Sequence, residues 1–175
     1  MGGIPQNLPF RLKTLLFRFR DLFSPRIDSL LEADLRPGLC VLDYGCGYGG
    51  YTIIAAEMVG TRGKVYALDN QLSPIDRIQE LATKKGLYNI KPMLSNSTIG
   101  LSSATVDVVL LHELSLTDAA LREIHRVLRP RGLLYFSDHQ IYIRNNEIVL
   151  KLTNTGLFRL SRKTTKALNF IKIGW

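Results

Sequence analysis

Val41-Leu42-Asp43-Tyr44-Gly45-Cys46-Gly47-Tyr48-Gly49-Gly50 is the stretch that decides how this sequence folds. The apolar run over 40–44 reads as a buried strand. A glycine loop follows it, and residues 50–59 read as a helix that stops near Gly60. Glycine tolerates positive φ and lets the backbone come close to a ligand. The helix start adds oriented N–H groups beside the loop. About twenty residues further on, Asp69 ends the next strand (64–69), where an acid commonly accepts from ribose hydroxyls.

Outward from this unit, short apolar runs alternate with helical patterns. Ser73 as N-cap, Pro74 in the first turn and Gly86 past the end bound a second helix. Residues 89–94 form a weaker strand that Pro92 confines to an edge or a strand end. The β-branched run 106–112 is a central strand. Thr117 and Asp118 open a helix with an apolar stripe of Leu121, Ile124 and Leu128, which Pro130 and Gly132 end. Residues 132–138 are the next strand, and 146–155 the last helix, with Gly156 just beyond. The tail, 157–162 and 166–173, alternates as two strands joined by a polar turn, a hairpin. Strand and helix in alternation require a parallel sheet, since each parallel connection needs a crossover. The expected architecture is a three-layer α/β domain on a mostly parallel seven-stranded sheet, closed by an antiparallel hairpin.

The 175 residues suit one domain, and 46% hydrophobic content suffices for a sizeable core. No apolar run reaches the ~18 residues of a membrane span. The start, MGGIPQNLPFRLK, lacks the order of a signal peptide, and Gln6 departs from a myristoylation signal. Two cysteines, Cys40 and Cys46, are too few for a disulfide framework and fit a reducing, cytoplasmic setting. The net charge of +8 favours anionic partners or is simply a solvated basic surface.

Gly45, Gly47 and Gly50 satisfy the dinucleotide-binding pattern GxGxxG, so a nicotinamide-dependent oxidoreductase is the rival reading. Asp43 separates the two. A carboxylate two positions before the first glycine repels a pyrophosphate but suits a cationic amino acid with its ammonium and sulfonium. Asp43 as a simple cap for the loop amides is the plainer alternative.

The run VLDYGCGYGGYT resembles the first motif of the class I S-adenosylmethionine (SAM)-dependent methyltransferases. KVYALDN is similar to their second motif, SATVDVVLLHEL to the fourth-strand motif, and LREIHRVLRPRGLLYFSD to the helix-turn-strand after it. Four motifs in order cover roughly residues 36–139. The tail is similar to that of small single-domain members related to quinone-biosynthesis methyltransferases. The resemblance implies SAM as cofactor, with S-adenosylhomocysteine (SAH) as product. It implies that Gly45, Gly47 and Gly49 line the methionine part, beside Cys46, and that Asp43 holds the amino group. Asp69 would accept from the ribose hydroxyls. Asn70, or Gln71 with Leu72, would flank the adenine. Asn96, next to Ser97, stands where the family often has an acid for the adenine amino group, and its amide oxygen still accepts.

Ligands of open α/β sheets sit beyond the carboxyl ends of the strands. Strand four ends in His112-Glu113 and strand five in Asp138-His139. These four are the candidate acceptor-site residues: a base, a contact to acceptor or SAM, metal ligands, or plain loop caps. Methyl transfer needs no metal, and none is assigned. His125 reads as structural, and Cys46 as packing. Tyr48 or Tyr51 is placed to line an acceptor channel or to pack on neighbouring loops.

The chain divides into an N-terminal amphipathic helical extension, 1–35, and the SAM-binding domain, 36–175. Over 8–23, nine Phe and Leu side chains alternate with arginines and lysine. Such a segment completes the core, covers the cofactor cleft, pairs two subunits, or lies on an anionic membrane. No structured nucleic acid is expected as partner. The expected acceptor is a small, partly apolar molecule. A SAM-binding protein without turnover remains a further alternative.

Overall fold

The computed structural model describes residues 25–95, 98–112, 116–137, 141–164 and 166–174, the side chains of 25 and 141–145 excepted. The amphipathic segment 8–23 and the candidate residues Asn96, Ser97, Glu113, Asp138 and His139 lie outside the described residues.

In chain order the elements are α1 (Pro25–Leu31), β1 (Cys40–Tyr44), α2 (Thr52–Val59), β2 (Lys64–Asp69), α3 (Leu72–Lys85), β3 (Ile90–Leu94), β4 (Val106–His112), α4 (Asp118–Val127), β5 (Leu128–Ser137), α5 (Ile141–Thr153), β6 (Phe158–Lys163) and β7 (Leu168–Lys172). The strands form one sheet in the order β3-β2-β1-β4-β5-β7-β6. β1 to β5 run parallel, and β7 joins β5 antiparallel with β6 outside it. The architecture is the expected Rossmann-like one, with the hairpin at one edge and Pro92 in the opposite edge strand, where its missing N–H costs no ladder bond.

Burial explains the strands. β4 buries Val106, Val108, Val109, Leu110 and Leu111, because helices cover both faces of a parallel sheet and leave its central strands no wet side. One face packs Leu42, Val109, Leu111, Phe136 and Phe170 with Leu121 and Ile124 of α4. The other packs Val41, Val65, Leu110 and Tyr135 with Ala55, Ala56 and Val59 of α2. Leu30 and Ala33 join this second core, so α1 is packed into the body of the domain.

Several element ends differ from the pattern-based expectation. α2 begins at Thr52 rather than residue 50. α3 begins at Leu72, with Gln71 rather than Ser73 as N-cap, because the Asp69 side chain already accepts from Gln71 N at 3.1 Å. α4 stops at Val127 and the chain enters β5 at once, so Pro130 and Gly132 sit inside the strand instead of ending the helix. Val106 pairs with Leu128 but Val108 with Leu133, so the extra residues bulge from β5. Within that bulge Arg131 takes φ 62°. α5 spans Ile141–Thr153 rather than 146–155: the Asn145-Asn146 pair, poor in helix propensity, stands inside it.

Gly63, at the turn into β2, is the tightest of these turns. A Cβ there would stand 2.7 Å from the Leu39 carbonyl and 2.6 Å from Val59 Cβ. Gly63→Ala should lower stability by about 1–3 kcal/mol through overpacking. The urea midpoint should fall with the circular dichroism spectrum unchanged; an unshifted midpoint would contradict this close approach.

Candidate functional site

The sheet order reverses between β1 and β4: the chain leaves β1 toward β2 and β3, then returns to β4 on the other side. The helices after β1 and β4 therefore diverge, and a crevice opens beyond the carboxyl ends of these two strands. Asp43 stands on its β1 side and His112 on its β4 side.

Asp43 is 1% exposed. Its Oδ2 accepts from Thr52 Oγ1 at 2.6 Å, and Thr52, the first residue of α2, is itself fully buried. Burial pushes the Asp43 carboxyl up to about 6. The Thr52 hydrogen bond opposes the rise and the nearby Asp69 charge adds to it. Asp69 is better served. Its Oδ2 accepts from Gly47 N at 2.9 Å and its Oδ1 from Gln71 N, so one carboxylate ties the glycine loop to the β2–α3 turn.

The loop itself hangs on β2: Gly45 N and Cys46 N both donate to Leu68 O, at 2.8 and 3.0 Å. Gly45, Gly47 and Gly49 have φ of 73°, 50° and 83°. Their lack of a side chain serves different ends. A Cβ on Gly47 would meet nothing within 4 Å, whereas one on Gly49 would stand 2.8 Å from Ile78 of α3. Gly47 therefore fronts open space, and Gly49 permits helix packing. Cys46 packs with Ala67 and Ile78. Burial and the two aspartates push its thiol upward, so it carries no nucleophilic thiolate. Asn70, beside Asp69, is exposed.

Across the crevice, His112 lies parallel to Tyr51, ring centroids 3.4 Å apart and planes 6° from parallel. Its Nδ1 is 2.5 Å from Ser137 Oγ on β5. Its Nε2 is buried and has no hydrogen-bond partner among the described residues. Burial, helped by the charge of Arg26, pushes this imidazole down to about 3, so it is neutral at physiological pH. Behind it the buried Tyr135 hydroxyl donates to Ser29 O at 2.8 Å and lies 2.5 Å from Ser29 Oγ. The polar chain thus runs from the strand ends into α1. Tyr48 is 66% exposed and lines an open groove of about 590 Å³ with Leu72, Ser73, Asp76, Arg77 and Glu80 on the outer side of α3. Of the two tyrosines singled out in the sequence, Tyr51 is the one that faces His112. His125 is bonded through Nε2 to Ile173 O at 2.7 Å and sits edge-on to Phe158, a packing residue as expected.

Pattern reading missed Thr52, Ser137 and the role of Arg26. The one available signal was a polar residue at the first turn of an otherwise apolar helix, Thr52, nine positions after a strand acid. As an acceptor set, two adjacent carboxylates, one of them desolvated, fit a ligand with a cationic group and paired hydroxyls. The open space at Gly47 admits its approach.

Comparison with known proteins agrees with this geometry. The family described as a methyltransferase domain matches residues 35–169. A demethylmenaquinone methyltransferase of Geobacillus stearothermophilus is 30% identical over 128 residues, 66% of this chain and 51% of its own length. The chain thus spans about half the length of that relative. The crystal structure of a SAM-dependent methyltransferase from Aquifex aeolicus is 26% identical and covers 96% of this chain and 100% of its own, with a TM-score of 0.77. A SAM-dependent O-methyltransferase from Thermotoga maritima is 18% identical over 94% of this chain and 71% of its own, TM-score 0.66, a likeness of fold.

A pH test follows from Asp43. Its folded-state carboxyl titrates above its unfolded value, so the folded state holds the proton more tightly. Its contribution is favourable at low pH and is lost as pH rises from about 4 through about 6. Asp43→Asn should therefore be more stable than wild type at pH 7.5, by roughly 1–3 kcal/mol. That advantage should vanish by pH 4. Thermal melts at both values measure it, and an equal difference at both would rule out a desolvated carboxylate.

Proposed function

The chain belongs to the class I SAM-dependent methyltransferases, with SAM as cofactor, and we propose that it transfers the SAM methyl group to a small, partly apolar acceptor. The observation that carries this reading is the desolvated Asp43 carboxyl beside the glycine loop, a partner for an ammonium group and a repellent for a pyrophosphate. The nature of the acceptor is supported by the relative named for its action on demethylmenaquinone.

When bound, SAM supplies a methyl group already activated on a sulfonium. The chain's task is alignment and exclusion of water. Asp43 holds the amino group and Asp69 the ribose hydroxyls. Gly45 and Gly47 bring backbone to the methionine part, and Asn70 flanks the adenine, with Asn96 and Ser97 as further adenine contacts. His112 is assigned to the acceptor, with Glu113, Asp138 and His139 as further candidates from the sequence. An imidazole held near pKa 3 is a weak base, so in this reading His112 orients the acceptor through Nε2, unpartnered among the described residues, rather than stripping its proton. The bound cofactor would supply the methyl group to the acceptor's nucleophile, and these residues would hold the two in line.

Asp69→Ala should weaken SAH binding, since each charge-assisted hydrogen bond lost is worth ~1.5–3 kcal/mol. Gly47→Val should abolish binding in a folded protein. Calorimetry that returned wild-type SAH affinity for both would refute the placement of the cofactor. Deleting residues 1–24 should lower turnover and weaken SAH binding while light scattering reports unchanged mass. A changed mass would assign the segment to a subunit contact. Loss of anionic-vesicle binding alone would assign it to a membrane surface.

A further inference from the structure

A neutral His112 carries one ring proton, and the nitrogen that bears it decides what the ring offers a ligand. A bare nitrogen accepts a hydrogen bond, and an N–H donates one. Stacking on Tyr51 leaves both forms open. The partner of Nδ1 decides between them. Nδ1 lies 2.5 Å from Ser137 Oγ, so one of these two atoms gives its proton to the other. Ser137 is buried at the end of β5, and the register of β4 on β5 sets it opposite His112.

Tyr135 stands two residues before Ser137, on the same face of the strand. Its hydroxyl has one proton and donates it to Ser29 O at 2.8 Å, so its oxygen is left to accept. The Ser29 hydroxyl, 2.5 Å away, and the Ser137 hydroxyl both hydrogen-bond to it. Both oppose the rise that burial imposes on the phenol, as donors to its oxygen do. The polar chain therefore has a direction. It ends on a carbonyl, which has no proton to give, so each hydroxyl points its proton toward Ser29. Ser137 directs its proton to Tyr135 and accepts from Nδ1–H of His112. The surroundings of Nε2 favour the same form. This nitrogen is buried without a partner among the described residues, and an orphaned buried N–H is rarer in proteins than an under-used acceptor.

We propose that Ser137 is a positioning residue of the methyl-transfer site: bonded onward through Tyr135 to Ser29, it fixes His112 in the Nδ1–H form, so that Nε2 accepts from an O–H or N–H of the methyl acceptor. The site then selects acceptors that carry such a hydrogen. An ether oxygen in its place leaves Nε2 unsatisfied. The inference rests on the assignment of His112 to the acceptor in a SAM-binding crevice.

Long-range proton–nitrogen correlation spectra of the isotope-labelled full chain at neutral pH tell a protonated ring nitrogen from a bare one. His112 is one of three histidines, and its signals are those lost in His112→Gln and kept in His125→Gln. Wild type should show a protonated Nδ1 and a bare Nε2. Ser137→Ala and Tyr135→Phe break the chain and should move the ring toward the Nε2–H form, which a free imidazole side chain prefers. Ser137→Thr keeps the hydroxyl and should keep the wild-type pattern. With SAH bound, excess phenol should shift the Nε2 signal toward that of a protonated nitrogen. Anisole, which lacks the hydrogen, should leave it in place. A protonated Nε2 in wild type overturns the inference. So does a tautomer unchanged in both Ser137→Ala and Tyr135→Phe, even where their melting temperatures fall, because Ser137 then only packs. An Nε2 signal that answers phenol and anisole alike overturns the selection of acceptors. SAH calorimetry on the same wild-type sample separates the two readings. Absence of SAH binding overturns the SAM assignment and this inference with it, whereas SAH binding with a protonated Nε2 overturns this inference alone.

Discussion

A carboxyl group buried at the end of β1, with one hydroxyl to bond it, is the constraint around which this site is arranged. Asp43 gives up water for Thr52 Oγ1 and sits within the electrostatic reach of Asp69. The lost water and the Asp69 charge favour the protonated form, the Thr52 hydrogen bond opposes them, and ionisation costs more here than in water. A cationic ligand relieves that strain at once, by supplying the charge that neither Thr52 nor the loop provides. Binding and stability are then linked: a ligand that pairs with Asp43 stabilises the folded state beyond its own contacts with the loop. Residues that would be replaced for stability alone are retained where the bound state needs them.

The position of that carboxyl depends on the sheet. β1 pairs with β2 and β4, so the strand that carries Asp43 is central, and the loop after it is pinned by Leu68 O and by the Asp69 carboxylate. The loop's glycines divide the labour. Gly47 keeps space open, Gly49 lets α3 approach, and Gly50 seats Arg26. One short motif therefore couples the crevice to α3 on one side and to α1 on the other. α1 is held from behind as well, by Tyr135 to Ser29 and by Asn169 Nδ2 to Glu32 O at 2.9 Å. The hairpin at the sheet edge thereby fixes the helix that carries Arg26.

Much of this was legible before the structure. β1, β2 and β4 coincide with the apolar runs over 40–44, 64–69 and 106–112, because strands buried on both faces leave a continuous hydrophobic signature. The glycine loop and both aspartates announced themselves by spacing. The start of β5 did not. Pro130 and Gly132 look like a helix stop followed by a turn, and only tertiary pairing shows them to be a bulge. There Arg129 meets Asp107 at 2.5 Å and the buried Lys172 Nζ donates to Leu128 O at 2.8 Å. The partners of His112 were hidden for the same reason. Ser137 is its neighbour through the register of β4 on β5, and Tyr51 through the angle at which α2 leaves the loop; neither relation is encoded in local sequence.

The sign of each charge around the crevice is also consistent with a sulfonium cofactor. A protonated imidazole at the end of β4 would repel a cation held between the strands. Burial under Tyr51 prevents that protonation, and Arg26 adds to the effect from outside. The positive charge is thus carried at the exposed mouth, where water screens it, while the interior presents two carboxylates and a neutral ring with one unsatisfied nitrogen. An unpaired buried nitrogen costs free energy that a hydrogen-bonding partner returns. His112 and Asp43 therefore share a physical logic: among the described residues one lacks a hydrogen-bond partner at Nε2 and the other a counter-charge, at the ends of the two strands that border the crevice.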